Sequence, residues 1–334
     1  MGFGPPGLEG VVSGADWRDR SALVTGATGL LGGWVTAALL ERGAHVVALV
    51  RDEVPDCYLL AEGLSARCVL VRGELSDLAV LERVLLEYDV RAVFHLAAQT
   101  QVGVARRGPY HTLESNVRGT YTLLEAARRI GAVEAILVAS SDKAYGEHAT
   151  LPYTEATPLL GASAYDASKA AADLLARAYA RSYELPVVVT RCGNLVGGGD
   201  LNWERLVPGT IRSLLRGERP VIRSDGTPER DYLSVRDAAH AYVELASRAR
   251  ELSGEAFNFS LERPLSVLEM VELVADAVGV HLAPDIRNDA AGEIKRQYLS
   301  AEKARRVLGW RPRWSLEEEL GETVRWYRRY LAPA

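Results

Sequence analysis

The sequence predicts an α/β protein, a doubly wound parallel sheet with an interleaved, smaller C-terminal substrate lobe. Three observations support that class. Short β-branched runs alternate with longer helical patterns over the first 190 or so residues. A Gly-x-x-Gly-x-x-Gly segment joins the first such run to the first helical pattern. The alternation then breaks after Asn194, and the remainder of the chain follows a different rhythm.

Taken in order, the runs are Ser21–Thr25, His45–Val50, Cys68–Val71, Ala92–Leu96, Ala135–Ser140 and Pro186–Thr190. Each is largely apolar at consecutive positions, as a strand covered on both faces must be. Gly119–Arg129 and Ala164–Ser182 carry helical periodicity between them. Such β-α-β alternation points to parallel strands joined by crossover helices. After Gly197-Gly198-Gly199 comes an irregular stretch with Pro208, Pro220 and Pro228. A helix and a strand return at Arg236–Ser247 and Ala256–Ser260. Ser266/Glu269 and Ser315/Glu318 have the spacing of capping boxes and mark two further helix starts. The division that follows is a leader over 1–16, a dinucleotide core over 17–195 plus 236–263, and a substrate lobe over 196–235 plus 264–330.

Composition sets the outer limits. The chain has 334 residues, 48% apolar and 25% charged, which is ordinary for a globular protein. A net charge of −5 gives no overall field for nucleic acid or an anionic membrane. No apolar run approaches the ~18 residues of a membrane span, and the Gly-Pro-Pro-Gly leader lacks the features of a secretory signal. The three cysteines, Cys57, Cys68 and Cys192, form no CxxC pair. Reduced thiols in the cytoplasm are the expectation, with neither a disulfide framework nor a metal site.

Two motifs carry chemistry. In Thr25-Gly26-Ala27-Thr28-Gly29-Leu30-Leu31-Gly32, glycines let the backbone approach a ligand closely, and a helix N-terminus presents free N–H groups to a pyrophosphate. A dinucleotide is the ligand this arrangement predicts. The second strand ends in Arg51-Asp52. Arg51 suits a 2′-phosphate and Asp52 a ribose hydroxyl, so NADP and NAD both stay open, with Arg51 tipping the balance to NADP. The second motif is Tyr165-x-x-x-Lys169, one helical turn apart on one face. A phenol with a pKa near 10 becomes a useful base at neutral pH only with roughly 4 kcal/mol of help. A neighbouring Lys cation and a nicotinamide cation are the expected sources. Ser141-Asp142-Lys143 follows a strand, on the edge where open α/β sheets place their sites.

Together with His95-Leu96-Ala97-Ala98-Gln99 and Asn116, these segments resemble the extended short-chain dehydrogenase/reductase superfamily, which is built on a Rossmann core and acts on nucleotide-diphosphate sugars. The resemblance runs from about Trp17 to Tyr330. Ser141-Asp142-Lys143-Ala144-Tyr145, the Gly193–Asp200 segment, Arg205-Leu206-Val207-Pro208 and Leu308–Trp314 look most like the CDP-glucose 4,6-dehydratase group. Three departures stand out. Arg230-Asp231-Tyr232 resembles epimerases and other dehydratases more than that group. Glu74 replaces the Asp usual near the adenine, and Arg51 is closer to NADP users.

The resemblance implies a 4,6-dehydratase acting on a nucleotide-diphosphate hexose. Tyr165 takes the 4-hydroxyl proton, helped by Ser141 and Lys169, while hydride leaves C4. Asp142 acts as acid for the departing C6 hydroxyl. Lys143 takes the C5 proton or, if charged, steadies the enolate. Hydride returns to C6, giving a 4-keto-6-deoxy sugar. By the same resemblance Gly26, Thr28, Gly29, Leu30, Leu31, Arg51, Glu74, Leu75, Leu96, Ala97, Ala98, Gln99 and Asn116 serve the cofactor, as do Tyr165 and Lys169. Gln99, Asn194, Arg205 and Arg230 serve the sugar nucleotide. A homodimer through helices around Glu114–Ile130 and Tyr165–Arg181 is implied as well. The rival readings are a 4-epimerase, a decarboxylase and, in another class, a cofactor-sensing protein without turnover.

Overall fold

The computed structural model describes residues 16–289 and 294–332. The predicted leader, apart from Asp16, lies outside the described residues. In chain order the main elements are β1 (Ser21–Thr25), α1 (Leu30–Glu41), β2 (His45–Val50), β3 (Val69–Arg72), α2 (Leu78–Glu87) and β4 (Val90–His95). They continue with α3 (Gly119–Ile130), β5 (Ala135–Ala139), α4 (Ala164–Tyr183), β6 (Val187–Cys192) and α5 (Leu206–Leu215). The last are α6 (Val235–Ser247), β7 (Ala256–Phe259), α7 (Val267–Val278) and α8 (Leu316–Tyr330).

Seven strands form one sheet in the order β7-β6-β5-β4-β1-β2-β3, and every pairing is parallel. Strand order reverses between β1 and β4, which opens a crevice at their carboxyl ends. One face buries α1 and α6 against Val24, Val46 and Phe94. The other buries α2, α3 and α4 against Leu23, Val47 and Val93. Alternate residues of the same strands thus feed two cores, which is why the strands read as unbroken apolar runs. The exception is β3, at the sheet edge, where Val69 and Leu70 are exposed.

Besides shifts of one or two residues at the ends of β4, β5 and β7, two strands differ from expectation for a physical reason. The third strand is shifted by one residue, to Val69–Arg72, because an edge position tolerates the Arg. The sixth runs past Thr190 to Cys192, with Arg191 buried inside it. That charge is tolerable because Asp173 of α4 meets it with two carboxylate oxygens, at 2.7 and 2.8 Å.

Both capping boxes form, Ser266/Glu269 on α7 and Ser315/Glu318 on α8. Helix α7 lies against α5 and α8. A buried pair, Arg236 Nε to Glu319 Oε2 at 2.8 Å, ties α8 to the start of α6. No described helix is long and apolar enough to cross a membrane.

Candidate active site

The crevice is a cleft of about 1600 Å³ that reaches from the first glycine loop to the irregular segment after β6. On its cofactor side, Gly26 has φ +75°, and an added Cβ would stand 2.7 Å from Ala97 N. At Gly32 an added Cβ would stand 2.0 Å from Gly26 O. Neither position admits a side chain without moving the loop or α1. The first turn of α1 has no side-chain cap, and no acidic residue stands there. Its N–H groups and the positive end of its dipole therefore suit an anion. Thr28, Gly29, Leu30 and Leu31 line the cleft beside them, with Leu96, Ala97, Ala98 and Gln99 at the end of β4. Arg51, Asp52, Glu74 and Leu75 line the far end. Arg51 Nε is paired with Asp52 Oδ2 at 2.6 Å, so the two residues weighed against each other for the ribose hold one another.

Beneath this wall lies a directed hydrogen-bond chain. Thr25 Oγ1 accepts from the N–H of Leu96 and of Ala97, both at 3.2 Å. It meets His95 Nδ1 at 3.0 Å, and His95 Nε2 meets Thr120 Oγ1 at 2.9 Å. Thr120 gives its own proton to Asn116 O at 2.6 Å. Its oxygen therefore accepts from Nε2–H, and Nδ1 accepts from Thr25. Burial, with the Lys169 charge adding to it, holds His95 neutral and pushes its pKa down to about 3.

Asn116 does not line the cleft. It is buried in the turn Glu114–Arg118, where its Oδ1 accepts from Gln99 N at 2.7 Å. Its Nδ2 donates to Gln99 O at 3.1 Å and Ser168 Oγ at 2.9 Å. Its position is that of a brace between the β4 loop and α4, one layer behind the cofactor wall.

On the opposite wall, Ser163 caps α4 and sets Tyr165 and Lys169 on the first two turns, both buried against the cleft. The protein's own groups supply the electrostatics of this pair. Burial raises the Tyr165 phenol to about 12, against which the Arg205 guanidinium works, while the Asp142 carboxylate raises it further. Lys169 Nζ points to Ala139 O at 2.8 Å. Burial lowers Lys169 to about 8, with Asp173 pulling the other way. The helical spacing brings the pair together, but the protein by itself does not activate the phenol, because burial dominates.

Ser141 starts the short turn Asp142–Tyr145 after β5. It donates to Asp142 Oδ1 at 2.8 Å and accepts from Lys143 N at 3.2 Å. Asp142 is buried, and Lys143 Nζ stands 3.6 Å from its Oδ2. The turn faces the same cleft as Tyr165. Asn194, Arg205 and Arg230 complete this wall from three separate segments. Asn194 Nδ2 donates to Asp231 O at 3.3 Å. Arg205 Nη1 is held by Asp200 Oδ2 at 2.9 Å, and Tyr327 of α8 donates to Asp200 O at 2.6 Å. Arg230 donates to the carbonyl of Glu229 at 2.8 Å.

Sequence reasoning missed several supports. Gln297 contacts Lys143, and Asp200 contacts Arg205. Arg191 joins Asp173 to Tyr145, donating to its hydroxyl at 2.8 Å. Only the i, i+4, i+8 spacing of Tyr165, Lys169 and Asp173 on one helix face could have suggested any of them.

Residues 23–323 match the family described as GDP-mannose 4,6 dehydratase. CDP-glucose 4,6-dehydratase of Salmonella typhimurium is 30% identical, over 94% of this chain and 92% of its own. The dTDP-glucose 4,6-dehydratase of Streptomyces antibioticus is 35% identical, over 92% of each. Among solved structures, the dTDP-glucose 4,6-dehydratase of Streptomyces venezuelae, with NAD bound, superposes with a TM-score of 0.85. It is 31% identical, over 93% of this chain and 97% of that one. UDP-glucose 4-epimerase of Thermotoga maritima, with UDP-glucose, gives 0.86 at 29% identity, over 94% of this chain and 100% of that one. The chain accordingly belongs to the GDP-mannose 4,6 dehydratase family, in the branch of the extended short-chain dehydrogenases/reductases that holds sugar-nucleotide dehydratases and epimerases.

Proposed function

We propose that the chain converts a nucleotide-diphosphate hexose to its 4-keto-6-deoxy derivative with a recycled nicotinamide cofactor. The observation that carries this reading is the Asp142–Lys143 pair, an acid and an amine 3.6 Å apart on a turn facing the same cleft as Tyr165. A 4,6-elimination needs such a pair in addition to the base at C4, whereas epimerisation at C4 does not.

The dinucleotide side is fitted to its ligand by the Gly26 and Gly32 contacts, which a Cβ would fill, and by the uncapped start of α1. Gly26, Thr28, Gly29, Leu30 and Leu31 hold the pyrophosphate, and Glu74 and Leu75 flank the adenine. Leu96, Ala97, Ala98 and Gln99 form the floor, with Asn116 bracing Gln99 from behind. Arg51 supports a preference for NADP over NAD. When bound, the nicotinamide accepts the C4 hydrogen and later returns it.

The chain's own groups handle the protons. Tyr165 accepts from the 4-hydroxyl, and Ser141 holds the same oxygen. Lys169 contributes a positive charge to the cofactor side of the phenol. With a keto group at C4, the C5 hydrogen becomes acidic. Lys143 accepts that proton and gives one back to C5 once hydride reaches C6; if it stays charged it steadies the enolate, and solvent water takes and returns the proton. Asp142 protonates the departing C6 hydroxyl, which leaves as water. Gln99, Asn194, Arg205 and Arg230 meet the diphosphate of the sugar nucleotide, arginine being suited to paired contacts with phosphate oxygens. In this reading the sugar nucleotide lies mainly on 196–235 and 264–330, and the cofactor on 17–195 and 236–263. Two copies pair through α3 and α4, where Tyr121 and Leu174 are exposed.

Arg230-Asp231-Tyr232 favours a second reading, a sugar-nucleotide 4-epimerase. Incubation with CDP-, GDP-, UDP- and dTDP-hexoses, each with NAD and with NADP, separates the two. A product lighter by one water supports dehydration. A new isomer of unchanged mass assigns epimerisation, and no product at all would leave a binding protein.

A further inference from the structure

Behind Lys143, one buried amide makes two contacts that the proposed chemistry depends on. Gln297 is fully buried and does not line the cleft. It sits on the two-residue strand Arg296–Gln297, which pairs in parallel with Glu229–Arg230 and places Gln297 opposite Arg230. Its Oε1 accepts from Lys143 Nζ. Its Nε2 donates to the backbone carbonyl of Asp142 at 3.1 Å. The amide has one sensible orientation, since an ammonium only donates and a carbonyl only accepts. The lysine nitrogen therefore lies between an amide oxygen and the Asp142 carboxylate, 3.6 Å away.

The chemical type of this acceptor matters. An amide oxygen accepts from a charged ammonium or from a neutral amine and brings no net charge of its own. A carboxylate in its place would favour the ammonium. The other titratable or charged groups around the turn are Arg230 on the paired strand, Asp231 beside it, Cys192 at the end of β6 and Tyr165 on α4, the last three of which feel the Asp142 charge. None of them replaces the contact that Gln297 makes from behind.

We infer that Gln297 is the positioning residue for Lys143, fixing its nitrogen beside Asp142 through a neutral acceptor that adds no second carboxylate to the one already there. The inference rests on the dehydratase reading, in which Lys143 takes the C5 proton. It also makes the strand opposite Arg230 and the turn carrying Lys143 one mechanical unit.

A substrate-free measurement tests it first. The full-length wild type and Gln297→Glu are acylated with acetic anhydride across a pH series, and modification of Lys143 is followed by peptide mass spectrometry. In Gln297→Glu, Lys143 should react about tenfold more slowly at neutral pH and recover in alkaline solution. Identical profiles would overturn the inference, whatever the enzyme's reaction proves to be. Gln297→Ala supplies the second measurement, with the hexose nucleotide that the wild type turns over. Deuterium uptake from solvent at C5 should fall about 10²-fold, while C4 oxidation, read from reduced nicotinamide absorbance, should change by less than about threefold. An equal fall in both steps would mark a merely structural residue and overturn it too. If Gln297→Ala fails to fold, the nearly isosteric Glu variant decides alone. Absence of any dehydration by the wild type would instead sink the parent reading, which the acylation result does not share.

Discussion

Along β1, α1 and the end of β4, the cleft is made of backbone, whereas the opposite wall is assembled from side chains of segments far apart in sequence. The first wall comes from one short stretch and one strand end, and its shape is set by the absence of side chains at Gly26 and Gly32. The second draws on Ser141, Asp142 and Lys143 after β5, Tyr165 on α4, Arg205 before α5, and Arg230 on a two-residue strand, with Gln297 behind it on the paired strand. A backbone site depends on local geometry and resists relocation. A side-chain site depends on how separate segments pack, so one chemistry can be exchanged for another while the fold stays. That difference accounts for the likeness of this chain to dehydratases and an epimerase alike, at similar TM-scores.

Substitutions on the two walls should have different consequences, and the largest effects belong to the side-chain wall. Tyr165→Phe removes the group that takes the 4-hydroxyl proton in the proposed reaction. Turnover should fall about 10³- to 10⁴-fold with cofactor affinity nearly unchanged, as measured by steady-state kinetics and fluorescence titration. Lys143→Ala should leave reduction of the nicotinamide by substrate intact and slow water loss by about 10³-fold, read by rapid-quench product analysis. Unchanged turnover in that variant would remove Lys143 from the mechanism.

On the backbone wall the effect is smaller and of another kind. Gly32→Ala places a Cβ where 2.0 Å separates it from Gly26 O. Cofactor affinity should drop about 10²-fold and the melting temperature should fall, with the chemistry of bound substrate little changed. The smallest effect is expected at His95, which supports the backbone wall without lining the cleft. His95→Gln should cost about 1–3 kcal/mol at neutral pH through the broken hydrogen-bond chain. The folded His95 resists protonation down to about 3, while the unfolded histidine takes a proton near 6.5. Between those values the unfolded wild type binds the extra proton, so wild-type stability falls as the pH is lowered. The variant lacks that loss, and the gap between the two should narrow through the window in urea titrations at several pH values.

The same contrast explains what could be read in the sequence. Sheet, crossover helices, both capping boxes and the glycine cradle each follow from patterns of a few neighbouring residues. Tyr165 and Lys169 were legible because helical periodicity puts them on one face. The end of β6 was misjudged because the partner of Arg191 is Asp173, on a different element. The raised Tyr165 phenol of the protein alone was not legible, because burial is a property of the whole packed cleft and not of helical spacing. Gln297 carried no signal, since it lies more than 150 residues from Lys143 and its strand is two residues long.

In the proposed reaction the side-chain wall performs an elimination and the backbone wall only holds the cofactor. The most direct test of that reaction is turnover of the nucleotide-hexose panel in deuterium oxide, followed by mass and proton resonance analysis of the isolated sugar. Dehydration predicts a product that has lost one water, carries one deuterium at C5 and has its original C4 hydrogen on C6. A product of unchanged mass with no deuterium at C5 would contradict the claim and assign the cleft to epimerisation.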